Sequence, residues 1–143
     1  MKKGFDYTGV GVTFACHDGE GNYLLHKRST NCRDEHGRWD MGSGGIEFGH
    51  SIEQTLQKEI LEEYGTEPLE YELLGFREVH REHEGKPTHW IAFDYLVRID
   101  REKAYLAEPH MADEMGWFRI NALPEPLHSQ LPNFLKKYPH KLI

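Results

Sequence analysis

Residues 44–66 read GGIEFGHSIEQTLQKEILEEYGT, and this stretch decides the fold prediction. A glycine-rich loop runs into a short helix that carries Glu59, Glu62 and Glu63. The three carboxylates are spaced i, i+3 and i+4, so each like-charge pair costs the helix about 0.2–0.5 kcal/mol. A cation held among them would offset that cost. The segment therefore predicts a metal site.

Caps mark the limits of this helix. Ser51 is its N-cap, Gln54 completes a capping box, and Gly65 occupies the position after its last turn. At about 100° per residue, four apolar side chains form one stripe that must face the core: Ile52, Leu56, Ile60 and Tyr64. Glu63 falls within the arc of that stripe, so it is either awkwardly buried or directed into a cleft.

A buried Glu63 needs a partner, because burying it unpaired would cost several kcal/mol or force it to take up a proton. Magnesium or manganese is the natural partner, since both prefer carboxylate oxygens. The helix alone is equally compatible with a solvated acidic face. The run Gly42-Ser43-Gly44-Gly45 before it favours the metal site, because glycine lets the backbone approach a ligand closely.

Alternating apolar residues predict strands on both sides of this helix. The predicted strands are Tyr7 to His17, Tyr23 to Arg28, Tyr71 to Arg81, Thr88 to Asp100 and Glu114 to Ile120. The first two form a hairpin, and Trp39 to Ile46 is partly extended. Leu127 to Tyr138 is predicted as a closing helix interrupted at Pro132. Together these elements predict an α+β sandwich, with helices flanking a mixed sheet.

Composition narrows the class of protein. The 143 residues suit one domain over residues 1–143. We find no membrane span and no signal peptide, and we interpret the two cysteines as reduced thiols of a cytoplasmic protein. The formal net charge of -7 argues against binding to a nucleic-acid polymer. A small anionic substrate can still bind if divalent ions mediate the contact.

The segment resembles the signature of the Nudix hydrolase family, G-x5-E-x7-R-E-U-x-E-E-x-G-U, where U is a bulky aliphatic residue. The positions that match in register are Gly44, Glu59, Ile60, Glu62, Glu63 and Gly65. Three departures stand out: His50 replaces the first glutamate, Lys58 replaces the arginine, and Gly42-Ser43 replaces a Pro-Gly pair. The resemblance implies a Nudix-type α/β/α sandwich with a mixed β-sheet.

The resemblance also implies an activity, which is divalent-metal-dependent hydrolysis of a pyrophosphate bond. The substrate would be a nucleoside diphosphate linked to another moiety, such as a nucleoside triphosphate or a nucleotide sugar. Mg²⁺ or Mn²⁺ would be the cofactor, and His50 would tilt the choice towards Mn²⁺. A homodimer is common in the family.

The resemblance assigns roles to individual residues. Glu59, Glu62 and Glu63 become the metal ligands and catalytic residues, with Glu59 also a candidate for orienting or deprotonating the water. Substrate-binding candidates are Arg28, Gly44 and Gly45. A further acid from outside the signature is expected, and four residues remain open for it: Glu82, Glu84, Glu108 and Glu114.

Two alternatives to an active hydrolase remain. One is a nucleotide-binding or regulatory module whose catalysis is weakened by the changes at His50 and Lys58. The other is an isomerase of isopentenyl diphosphate, which needs a reactive cysteine; Cys32 lies in a polar segment that lacks that setting.

The aromatic residues and histidines carry weaker signals. Trp39, Trp90 and Trp117 are able to stack on a base, but tryptophan is more often a core residue. The run from His80 to Glu84 is not the H-E-x-x-H zinc pattern. The remaining scattered histidines are interpreted as ordinary polar residues: His89, His110 and His128.

Overall fold

The structure, a computed structural model, describes residues 1–142. A mixed sheet has helices on both faces. The strands are β1 (Gly9–His17), β2 (Asn22–Arg28), β3 (Trp39–Asp40), β4 (Gly42–Gly45), β5 (Glu70–His83), β6 (Lys86–Arg98) and β7 (Ala112–Arg119). The helices are α1 (Ile52–Tyr64) and α2 (Leu131–Lys137), with a 3-10 turn at Ile120–Ala122.

The described strands form one seven-stranded sheet with the order β3-β2-β1-β6-β5. β4 pairs with β1, and β7 pairs with β2. The central pair, β1 and β6, is parallel, whereas β1 and β2 form the predicted antiparallel hairpin. The predicted α+β sandwich with a mixed sheet is therefore confirmed.

Two apolar cores hold the helices against opposite faces of the sheet. On one face, Leu56, Ile60 and Tyr64 of α1 pack against Phe14 of β1. On the other face, Phe134 of α2 packs in a cluster of buried side chains. They come from β1, β2, β3 and the residue between β3 and β4, and are Ala15, Tyr23, Leu25, Trp39 and Met41. The sheet is thus buried on both sides at its centre, where β1 lies.

The limits of α1 agree with the prediction because local interactions set them. Ser51 Oγ accepts from the Gln54 N–H at 3.0 Å, and Gln54 Oε1 accepts from the Ser51 N–H at 2.9 Å. Gly65 has a φ of 69°, which is the left-handed conformation that glycine adopts readily. Its N–H donates to the Leu61 carbonyl at 2.9 Å.

The prediction for the closing helix was wrong in two respects. α2 begins at Leu131, four residues later than predicted, and Pro132 lies in its first turn without breaking it. A proline is tolerated there because the first N–H groups of a helix have no partner within the helix. The preceding residues are held by tertiary contacts instead, since the His128 N–H donates to the Trp39 carbonyl at 2.8 Å.

Within residues 1–142, no helix combines the length and the apolar character that crossing a membrane requires. Cys16 and Cys32 are both free and buried.

Candidate metal and substrate site

The apolar stripe of α1 packs against the sheet and thereby places acidic residues of the helix next to β4. With Leu56, Ile60 and Tyr64 buried against the sheet, Glu63 lies beside the core, as its position in the stripe predicts. A cavity of about 220 Å³, here called the acidic cavity, opens at this point. It is lined by three carboxylates and their neighbours: Glu59, Glu63, Glu108, His26, Arg28, Cys32, Ser43, Tyr64, Leu106, Met111 and Ala112.

Glu63 contributes a partly unsatisfied carboxylate to the acidic cavity. Its Oε2 is buried and has no hydrogen-bond partner within residues 1–142. Burial raises the pKa of Glu63 well above its usual value, and the charges of Glu59 and Glu108 raise it further. The backbone N–H of Ser43 acts in the opposite direction. An anion in this position lacks the counter-charge that would make it stable.

Glu59 also lines the acidic cavity and is half-buried. Desolvation, followed by the charge of Glu62, raises its pKa to about 7. The β4 backbone approaches its side chain so closely that a Cβ on Gly44 would lie 2.2 Å from Glu59 Cδ. A side chain at position 44 would therefore displace the end of the Glu59 side chain.

Glu62 is placed differently from the other two helix acids. It is exposed and does not line the acidic cavity. Its Oε1 lies 3.7 Å from Lys58 Nζ, and the same ammonium lies 3.1 Å from Glu47 Oε1. His50 is also exposed, with Nδ1 at 3.8 Å from Glu47 Oε2. Lys58 therefore holds exposed carboxylates outside the cavity.

The carboxylate oxygens of Glu59, Glu62 and Glu63 do not converge on a common position. Among residues 1–142, two groups of His, Asp and Glu bring their ligand atoms within 4.8 Å of one another, and the acids of α1 belong to neither. Their charges nevertheless interact, since Glu62 and Glu108 both raise the pKa of Glu59. The donor set still fits a hard cation, because it offers an orphaned carboxylate oxygen and two neighbouring carboxylates.

The structure distinguishes among the four candidates for the further acid from outside the signature. Glu108 lines the acidic cavity and interacts electrostatically with Glu59 and Glu63. The other three are exposed and lie outside the linings of both cavities described here: Glu82, Glu84 and Glu114.

A second cavity of about 400 Å³, here called the large cavity, adjoins the first. The residues lining both are Arg28, Cys32, Ser43 and Met111. Gly44 and Gly45 line the large cavity, and its apolar wall includes Val79, Trp90, Ile91 and Phe134. Trp90 is thus the tryptophan placed beside a ligand space, whereas Trp39 packs edge-on against Phe118 in a core and Trp117 packs against the α1 core.

Arg28 stands at the junction of the two cavities. Its Nη2 lies 3.1 Å from Asp34 Oδ1, and its Nη1 lies 3.8 Å from Asp40 Oδ2. Two carboxylates therefore fix the guanidinium at the junction. Cys32, expected in a polar segment, is instead buried there, and its thiol donates to the Met111 carbonyl at 3.1 Å.

Sequence reasoning missed two residues of these cavities. A ring nitrogen of His26 lies 2.9 Å from the Tyr64 hydroxyl in the acidic cavity, and burial lowers the pKa of His26. Strand alternation from Leu24, which packs in the α1 core, was the available signal, since it places His26 on the same face. Arg77 lines the large cavity with its Nε 2.7 Å from Asp94 Oδ2. No local pattern in the sequence indicates this ion pair.

Comparison with known proteins identifies the family of this chain. The model of the NUDIX domain matches residues 8–138, so the chain belongs to the Nudix family. The structure of a MutT NUDIX hydrolase from Burkholderia pseudomallei is similar at a TM-score of 0.79 and 27% identity, covering 92% of this chain and 98% of that one. The predicted enzyme class, a Nudix hydrolase, is confirmed at this level.

Two further similarities are more limited, the first in sequence identity and the second in length. The NUDIX domain of Shewanella oneidensis NrtR, solved with ADP ribose, shares the fold at a TM-score of 0.73 and 17% identity, covering 97% of this chain and 91% of that one. The nucleoside triphosphatase NudI of Escherichia coli O139:H28 is 40% identical over 50 residues. That match spans 35% of this chain and only 36% of the curated relative.

Proposed function

We propose that this protein is a divalent-metal-dependent pyrophosphohydrolase acting on a nucleoside diphosphate linked to another moiety. The observation that carries the proposal is the buried, unpartnered Oε2 of Glu63, in a cavity where Glu59 and Glu108 add further negative charge. Such a site is unfavourable without a cation and becomes favourable with one. It adjoins a larger cavity suited to an organic group.

Glu59 and Glu63 would hold Mg²⁺ or Mn²⁺, with Glu62 joining from the exposed side of α1 and Glu108 as the acid from outside the signature. When bound, the metal would neutralise the pyrophosphate charge and acidify a coordinated water. Glu59 is the candidate for orienting or deprotonating that water, because its half-buried carboxylate lines the acidic cavity and has a raised pKa.

The junction between the cavities would take the phosphates. Arg28 is fixed there by Asp34 and Asp40, and the backbone of Gly44 and Gly45 is open to close approach. A guanidinium donates hydrogen bonds to phosphate oxygens in a planar geometry that lysine lacks. Its position next to the acidic cavity would align the pyrophosphate with the metal.

The large cavity would receive the nucleoside or the linked moiety. Trp90 offers a flat apolar surface for a ring. Arg77, also in the lining, has a buried Nη1 without a hydrogen-bond partner within residues 1–142. A donor of this kind favours a ring that presents a carbonyl oxygen. The nucleoside triphosphatase activity named for the NudI relative is consistent with such a substrate.

A hydrolysis screen with Mg²⁺ or Mn²⁺ over nucleoside triphosphates and nucleotide sugars tests the proposal. We expect phosphate or pyrophosphate release from at least one compound, abolished by EDTA and by Glu63→Gln. Glu67→Gln is the matched control, because Glu67 is exposed just beyond α1. Tight nucleotide binding with no release across the panel would contradict the proposal and favour the regulatory module.

A further inference from the structure

The β5–β6 hairpin brings two histidines and a glutamate together on the sheet face opposite the large cavity. His80 of β5 pairs directly with His89 of β6, and Glu78 lies two residues before His80 on the same face. The intervening residues of β5 face the other way, since Arg77, Val79 and Arg81 line the large cavity. The ligand atoms of Glu78, His80 and His89 lie within 4.8 Å of one another.

His89 is prepared as a ligand by its surroundings. Its Nδ1 lies 3.0 Å from Thr8 Oγ1, and its Nε2 is buried without a hydrogen-bond partner within residues 1–142. With Nδ1–H donating to the hydroxyl, Nε2 presents its lone pair with nothing to accept. Metal-bound histidines show the same arrangement, in which the second ring nitrogen is fixed by a hydrogen bond.

The rings of His80 and His89 stack on each other. Their ring centroids are 4.1 Å apart, with an interplanar angle of 14°. His80 is exposed and can rotate to bring its nitrogen towards an ion bound by His89.

A second cluster with converging ligand atoms differs, because ion pairs within the protein compensate its charges. Asp34, Glu35 and His128 also lie within 4.8 Å of one another. Their charges are already compensated, since Arg81 forms ion pairs with both acids and His128 Nε2 lies 2.8 Å from Glu35 Oε2. Among the described residues, no lysine or arginine forms an ion pair with Glu78, so a bound ion would balance its charge.

We propose that Glu78, His80 and His89 bind a borderline divalent transition-metal ion of the zinc class, at a site separate from the α1 carboxylates. Two imidazole nitrogens and one carboxylate oxygen are a donor set that zinc accepts, with water as the fourth ligand. Magnesium prefers oxygen ligands and would bind at the α1 acids instead. The interpretation of His89 as an ordinary polar residue is thereby revised.

Calorimetric titration with Zn²⁺ tests this site. The titration is performed on a Glu59→Gln, Glu63→Gln background, so that loss of hydrolysis has no bearing on the result. We expect one equivalent to bind, and His80→Ala or Glu78→Gln to weaken the Kd by about tenfold or more. His110→Ala is the matched control, because His110 is an exposed histidine outside the cluster. Replacing Zn²⁺ with Co²⁺ should give the visible absorption of a tetrahedral ion.

The titration results either support or overturn the proposed site. A Kd for Zn²⁺ that rises about tenfold or more in His80→Ala and Glu78→Gln, but not in His110→Ala, supports the site. Absence of Zn²⁺ binding to the background protein, or binding unchanged in both cluster variants, overturns it. Far-UV circular dichroism of each variant identifies a protein that has failed to fold. If one cluster variant fails, the other decides the result.

Discussion

At the scale of single residues, the fold maintains a carboxylate with one buried oxygen that has no hydrogen-bond partner among residues 1–142. Oε2 of Glu63 is buried and unsatisfied, and the negative charges of Glu59 and Glu108 act on the same carboxyl group. The apolar stripe of α1 enforces this position, because Leu56 and Ile60 cannot be buried without carrying Glu63 inward. If Glu63 holds the metal as proposed, stability and function oppose each other at this residue.

Replacing Glu63 with glutamine should expose this opposition. In EDTA at neutral pH, we expect Glu63→Gln to be at least as stable as the wild type, since the variant no longer buries a carboxyl group that must stay protonated or go unpaired. Its metal-dependent hydrolysis should fall by about 10²-fold or more. Urea unfolding and steady-state kinetics measure the two effects. A clear loss of stability would show that Glu63 has a partner that we have not recognised.

The pH dependence of stability follows from the raised pKa values of Glu59 and Glu63. The native metal-free protein holds these protons above pH 4.5, where the unfolded chain releases them. Stability is therefore full below pH 4.5 and falls as the pH rises through about 7 for Glu59. Because Glu59 is only half-buried, its contribution is discounted to about 1–2 kcal/mol.

Urea unfolding in EDTA between pH 4.5 and 8 tests this expectation. Glu59→Gln should flatten part of the decline, and saturating Mn²⁺ should remove it. A stability that rises with pH over this range would mean that the signs assigned to these carboxylates are wrong.

The glycines of β4 offer a test of close approach. A Cβ at Gly44 would meet Glu59 Cδ at 2.2 Å, whereas a Cβ at Gly45 would lie 3.5 Å from Trp90, an ordinary contact. We expect Gly44→Ala to displace Glu59 and reduce kcat by about tenfold or more. Gly45→Ala should cost less. Equal losses in the two variants would argue that the approach of β4 to Glu59 has no role in activity.

At the scale of elements, the caps of α1 hold the acids in register with β4. Ser51→Ala removes one half of the capping box and should cost about 1 kcal/mol of unfolding free energy. Ser51→Asp retains an acceptor for the Gln54 N–H and should be nearly neutral. Urea denaturation compares them. Equal stability of the alanine and aspartate variants would show that the cap contributes little.

The elements also show how far the sequence could predict the fold. α1 was predictable because its caps, stripe and terminal glycine are all local signals. α2 was misjudged because its start depends on the tertiary contact between His128 and Trp39, which no local pattern reveals. Strand limits agreed within a few residues, since alternation gives their centres better than their ends.

The candidate site was predictable only in part, because only some of its residues are placed by local sequence patterns. The helix periodicity placed Glu63 inward, but it did not separate the cavity position of Glu59 from the exposed position of Glu62. Arg77 and the stacking of His80 on His89 arise from strand register, which joins residues far apart in the chain. Such pairings are set by the packing of the whole sheet.

At the scale of the whole molecule, the two adjoining cavities predict that metal and nucleotide bind cooperatively. Arg28 and Ser43 line both spaces, so a phosphate chain at the junction would contact the metal and the protein together. A non-hydrolysable nucleotide at about 100 times its Kd should raise the Tm by about 5–10 °C with Mn²⁺ present. Differential scanning calorimetry should find a much smaller shift in EDTA, and an equal shift would contradict this coupling.

In the proposed function, the acids of α1 hold a divalent ion against a polyphosphate. Anomalous diffraction from crystals grown with Mn²⁺ and a non-hydrolysable nucleotide tests this arrangement. We predict a manganese peak between Glu59 and Glu63, with phosphate oxygens on its open side and Arg28 nearby. Bound nucleotide in crystals that show no manganese between these two carboxylates would contradict the account.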